Sequence, residues 1–179
     1  MNKLEYINKM DFKVTWKLIE IGLNGLEEIQ PILTWDEVFE YLDNTLINET
    51  KETNNTIMII CQKNNYVETK KILHIFSNQD KSDVSIQKRK WRAFLLKKLL
   101  NSISKDSLQG LLELMEFWIS MKRPNDCPFV FPKGNSSFIR QNYFTTATYN
   151  EQIKRNKIWL TEEIRKIIAD EADLSSLNG

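Results

Sequence analysis

The sequence predicts an all-α protein, a single compact domain of six to eight helices whose neighbours can pair as αα-hairpins. Three observations carry that expectation. Apolar residues recur at three-and-four spacing in one segment after another, most plainly at Leu108, Leu111, Leu112, Met115, Trp118 and Ile119. The 179 residues include only 5 Gly and 4 Pro, too little turn punctuation for a β-sandwich. The run Ile57-Met58-Ile59-Ile60-Cys61 has strand character, but no second run of similar quality exists to pair with it. A lone strand leaves its backbone groups unsatisfied, so this run is read as a short buried helix.

The elements follow in order. A first helix is expected over Lys13 to Leu23, with Val14, Leu18 and Ile21 inward, Trp16 beside them, and Gly22 or Gly25 ending it. The next has the clearest start: Thr34 at the N-cap and Glu37 three residues on form a capping box ahead of Val38, Phe39, Leu42 and Leu46. Glu49 to Asn55 is polar and reads as a loop. Thr56 to Lys63, the Asn64-Asn65 turn and Val67 to Ser77 then read as helix, turn, helix. A longer helix follows Asp83 through Val84, Trp91, Phe94, Leu95, Leu99 and Leu100. Ser104 or Asp106 caps the next, which Pro124 terminates, with Pro128 and Pro132 holding the exit extended. Period is lost from Lys133 to Thr148. Thr148 and Glu151 make a second capping box for a helix to Leu160, and Glu162 to Ala172 forms another, with Ile164, Ile167 and Ile168 inward. The tail, residues 174–179, is expected to fray. No domain boundary is visible within 1–179.

Composition narrows the function classes. The apolar share of 41% argues for a real core and against disorder. The longest apolar run is far short of the roughly 20 residues of a membrane span, and the N-terminal residues have no apolar stretch of signal-peptide type. Cys61 and Cys127 make no disulfide framework, so a reduced cytoplasmic location is expected. Net charge is +1, but residues 1–80 hold 8 Lys against 13 acids, a net −5, while the remainder carries +6. Such a dipole steers charged partners only if folding keeps the two regions apart.

Reaction chemistry is hard to find. His74 is the single histidine and has no Cys or Asp spaced as a partner. There is no HExxH, paired CxxC, calcium loop or Gly-rich phosphate loop, so neither metal nor cofactor is expected. Asp36, Glu37, Glu40 and Asp43 are the densest carboxylates, and a solvated helix face explains them better than a magnesium site. Cys127 lacks a base and reads as a packing or surface thiol. The run Lys88-Arg89-Lys90-Trp91-Arg92 invites a nucleic-acid reading. Trp91, however, shares a helical phase with Phe94, Leu95 and Leu99, which puts it in the core and leaves the charges as a solvated side.

Several segments carry a family resemblance: Val14-Thr15-Trp16-Lys17 with Gly22; Leu33-Thr34-Trp35-Asp36-Glu37-Val38; Lys90-Trp91-Arg92-Ala93-Phe94-Leu95-Leu96; and Leu108-Gln109-Gly110-Leu111 through Phe117-Trp118 to Pro124 and Pro128-Phe129. In this order they resemble an uncharacterised bacterial domain family of unknown function. Small helical proteins of this type are similar to immunity proteins encoded beside polymorphic or contact-dependent toxins. The resemblance implies a non-catalytic protein that binds a cognate toxin domain, and supplies no catalytic residue. Many such toxins are basic nucleases, against which an acidic surface speeds encounter. Glu27, Glu28, Asp36, Glu37, Glu40 and Asp43, with Trp35 and Tyr41 as aromatic anchors, are therefore the expected partner-binding residues. A helical scaffold or regulatory adaptor is the alternative, and a nucleic-acid-binding helical protein the third.

Overall fold

A computed structural model describes residues 2–48, 53–132 and 142–177. Among them are eight helices: α1 (Lys3–Asn8), α2 (Trp16–Asn24), α3 (Trp35–Asn48), α4 (Thr53–Cys61), α5 (Tyr66–Gln79), α6 (Val84–Ser102), α7 (Ser107–Ser120) and α8 (Thr146–Leu177). The described residues contain no strand, only an isolated bridge between Leu26 and Ile29. The all-α expectation holds. Contacts group the chain into two compact units, residues 1–91 with 167–179 and residues 92–166, whose boundaries fall within α6 and α8.

The first unit begins with a helix the sequence reading missed. Asn2 caps α1 by accepting from Leu4 N, and Leu4 and Ile7 are fully buried. Helix α2 starts later than expected, at a Thr15 cap whose hydroxyl accepts from Leu18 N at 3.1 Å, so Val14 precedes it. Gly25, at φ 75°, ends it. The Thr34 capping box forms as expected: Glu37 N donates to Thr34 Oγ1 at 3.3 Å and Thr34 N to Glu37 Oε2 at 3.0 Å. Helix α4 confirms helix over strand, but it is only half buried. Thr56 and Ile59 face inward while Ile57, Met58 and Cys61 are exposed. Of the expected loop at 49–55, residues 53–55 are helical and 49–52 lie outside the described residues. Asn65 caps α5, which packs back on α4 as the expected hairpin. Trp91 closes this core, its Nε1 donating to Leu18 O at 2.9 Å.

The second unit is organised by α7 and α8. Asp106 caps α7 through Gln109 N at 2.8 Å. The buried phase is Gly110, Leu111, Leu114 and Trp118; Leu108 and Ile119, expected inward, are exposed. Trp118 Nε1 donates to Asn156 Oδ1 at 2.7 Å, fixing that phase against α8. Gln152 clamps the proline-rich exit at Val130, accepting from Val130 N and donating to Val130 O, each at 3.1 Å. Burial pushes the Tyr143 phenol up to about 12, against the hydrogen bond from Gln152. The two expected C-terminal helices are one. Thr145, not Thr148, supplies the cap by accepting from Thr148 N, and no Gly or Pro falls between 146 and 177. Ile167 is buried and Ile164 partly so, but Ile168 is exposed. Residues 174–177, expected to fray, continue the helix; 178–179, and 133–141 of the aperiodic loop, lie outside the described residues.

Candidate functional site

Helix α3 owes its position to Glu37, which both closes the capping box and holds Lys3 of α1 at 2.7 Å. Partial burial would raise the Glu37 carboxyl, but the Lys3 and Thr34 hydrogen bonds outweigh it and hold the group below its ordinary range. Along the same flank, Asn8 Nδ2 donates to Tyr41 OH at 3.0 Å and Asn44 Nδ2 to Glu5 Oε1 at 3.1 Å. With that flank on α1, and Val38, Phe39 and Leu42 buried, the remaining face carries Asp36, Glu40 and Asp43. Their i, i+4, i+7 spacing aligns them in one row, and all three are exposed. Among the described residues Asp36 and Asp43 meet no cation, and Glu40 accepts only the neutral amide of Asn2 at 3.0 Å. Trp35 stands beside the row, its ring 5.8 Å from Phe39 and 6.4 Å from Tyr66 of α5.

Glu27 and Glu28 are placed differently. They lie on the turn after α2, where both hold Lys88 of α6, at 2.6 and 2.9 Å. Desolvation would lower the Lys88 ammonium, yet the two carboxylates prevail and raise its pKa. Six of the eight expected partner-binding residues therefore sit together on α3: Trp35, Asp36, Glu37, Glu40, Tyr41 and Asp43. Glu27 and Glu28 serve an internal ion pair.

The basic run of α6 is not the solvated side expected of it. Lys88 is engaged as described, and Arg89 meets Asp170 of α8 at 2.5 Å. Lys90 is wholly buried, its Nζ donating to Lys13 O at 2.6 Å and to Glu171 Oε1 at 2.5 Å. Desolvation lowers its pKa despite the Glu171 charge. Within the second unit, Arg92 meets Asp126 and Glu163, both at 3.1 Å, and lies 5.0 Å above the Trp159 ring. Trp91 is in the core, as its phase requires. The cations at 88, 89, 90 and 92 of α6 are thus carboxylate-bound in the fold.

Other candidates have structural occupations. His74 Nδ1 is 2.8 Å from Glu20 Oε1 and its Nε2 is 3.1 Å from Asn78 Nδ2, joining α5 to α2. Burial raises the Cys127 thiol, which keeps it protonated and a poor nucleophile. Among the described residues no three His, Cys, Asp or Glu side chains are gathered to hold a metal, and no helix is long and apolar enough to cross a membrane.

Residues 4–164 match a family described as an uncharacterized protein conserved in bacteria, DUF2247. The chain belongs to this family. The DUF2247 match contains every segment on which the sequence resemblance rests, from Val14 to Phe129. No curated protein and no solved structure matches the chain. Membership of DUF2247 brings no described activity with it.

Proposed function

We propose that this DUF2247 chain is a non-catalytic binding protein, an immunity protein that neutralises a cognate bacterial toxin by tight, direct contact. The observation that supports this reading is the unequal fate of its charges. The cations at 88, 89, 90 and 92 are held by carboxylates of the same chain, while Asp36, Glu40 and Asp43 stand in an exposed row that meets no cation among the described residues. An uncompensated acidic row attracts a basic partner, accelerates encounter and substitutes for phosphate on a nuclease surface. Trp35 and Tyr41, both partly exposed, offer aromatic contact area at its edges. Cys61 and Cys127 are free thiols, which fits action in the cytoplasm.

The test is co-expression with the product of the adjacent upstream reading frame. A one-to-one complex and restored growth are the expected results. Reversing Asp36, Glu40 and Asp43 to Lys weakens the complex and removes most of its salt dependence. A harmless, unbound neighbour would sink the toxin reading and favour a scaffold or regulatory adaptor, which would use the same face without rescuing growth. A nucleic-acid role is the weakest of the three, because phosphates would have to displace the carboxylates already on the basic run.

A further inference from the structure

Eleven large apolar side chains stand exposed among the described residues, and four of them fall within 57–67. Ile57 (42% exposed) and Met58 (50%) share the outer face of α4 with the free thiol Cys61, one turn further on. Tyr66 (53%) and Val67 (69%) open α5 at the other side of the hairpin turn. The fold does not need them outside. The same hairpin buries Ile59 and Leu73 completely, so its core is already supplied. Isolated exposed apolar residues are ordinary; several on one short hairpin are characteristic of an interaction surface.

The patch adjoins the acidic helix at Tyr66. Helix α4 packs against α3, and the Tyr66 ring lies 6.4 Å from Trp35, the residue before Asp36. We infer that the α4–α5 hairpin is the apolar centre of a docking surface whose charged rim is Asp36, Glu40 and Asp43. Its occupant is a basic protein partner that presents an apolar ridge flanked by Lys or Arg. The inference rests on the toxin-binding reading for its partner, and adds where that partner sits and what it must carry. Apolar centre and charged rim divide the work as they do in other protein interfaces: the centre supplies affinity, the rim steering and register. A second copy of this chain would bring Asp36, Glu40 and Asp43 to the same rim, and the oligomeric state is the outcome that tests it.

The test uses the full chain and an amphipathic helical peptide of about 18 residues, five turns, built from Leu and Lys. A Leu and Glu peptide of the same pattern is the control. In amide-resolved NMR titrations the Leu/Lys peptide shifts resonances of 57–67 and 36–43, and the Leu/Glu peptide shifts neither. Met58→Gln with Val67→Gln weakens Leu/Lys binding at least about fivefold while the melting temperature is unchanged. Ile57→Gln with Tyr66→Ser is the substitute pair should the first unfold the chain. Unchanged affinity in a folded variant, shifts confined to other helices, or equal binding of the Leu/Glu peptide would overturn the assignment. So would a concentration-dependent dimer that the variant abolishes, which would make a second copy the occupant. Co-expression separates the two claims. If the neighbouring gene product still binds the Gln variant at wild-type strength, the hairpin assignment fails and the immunity reading stands. If the neighbour binds nothing while the peptide maps to the hairpin, the immunity reading fails and the docking surface stands.

Discussion

Gly22 lies inside α2 because Trp91 leaves no room above it. A Cβ there would stand 2.5 Å from the Trp91 ring and 2.7 Å from Leu33 Cδ1. Gly22→Ala is expected to cost about 1–3 kcal/mol by overpacking, read as a lower urea midpoint; an unchanged midpoint would show that the indole can yield. The sequence offers Gly22 and Gly25 equally as helix ends, since glycine's local signal is the same at both. Only the non-local indole distinguishes them. Asp80 is the reverse case, a plain loop acid whose role depends on residues far along the chain. Burial would raise its carboxyl, but it accepts from Lys17 N at 3.0 Å and Ser82 N at 2.8 Å, and these bonds hold it below the ordinary 3.8. A depressed carboxyl contributes stability above its unfolded pKa and loses it as pH falls through the folded one. Thermal melts should therefore drop below about pH 4, and Asp80→Asn should flatten that part of the profile while lowering stability at neutral pH. A variant with the wild-type slope would assign the acid transition to other groups.

At the scale of elements, caps were legible and phases less so. Thr34 with Glu37 is readable because both partners lie within four residues. Helix α7 has so wide an apolar stripe that two phases satisfy it. The spacing predicts the one with Leu108 and Ile119 inward; the Trp118–Asn156 bond and the Tyr149 ring over Gly110 select the other. Helix α1, six residues long, gives too little periodicity to detect. For α8 the sequence predicts two helices, one to Leu160 and one from Glu162, yet no Gly or Pro between them prevents α-helix from continuing. Its continuation matters to the first unit, where Glu171 meets the buried Lys90 ammonium and Asp170 meets Arg89. Glu171→Ala leaves Lys90 with the Lys13 carbonyl and the more distant Asp80 charge, and should cost about 3 kcal/mol in urea unfolding. Lys90→Met combined with Glu171→Leu should recover most of that loss. If the single variant is neutral, the ammonium has found water or released its proton.

For the whole molecule, the sequence shows an acidic first part and a basic remainder, and the fold joins them. Glu27 and Glu28 from the acidic part take Lys88 from the basic one, so the linear dipole is partly cancelled. The row on α3 is legible as an acidic helix face; that it meets no cation among the described residues is not, because that depends on which cations are used elsewhere. The apolar hairpin was missed for a related reason. A run such as Ile57–Cys61 reads as core until the placement of its helix shows which side is covered. With its basic run engaged, the chain should elute from immobilised heparin near physiological salt, about 0.15 M; retention well beyond that would mean the α6 cations are open to polyanions. The discontinuity of the first unit has a consequence for birth on the ribosome. Lys90 precedes Glu171 by 81 positions, and the whole contiguous stretch 92–166 emerges between them. A nascent chain therefore holds its first ninety residues without their closing segment while the later unit is already being completed. Translation order makes the second-emerging unit the first that can finish, and leaves α1 to α5 waiting for the last turns to arrive.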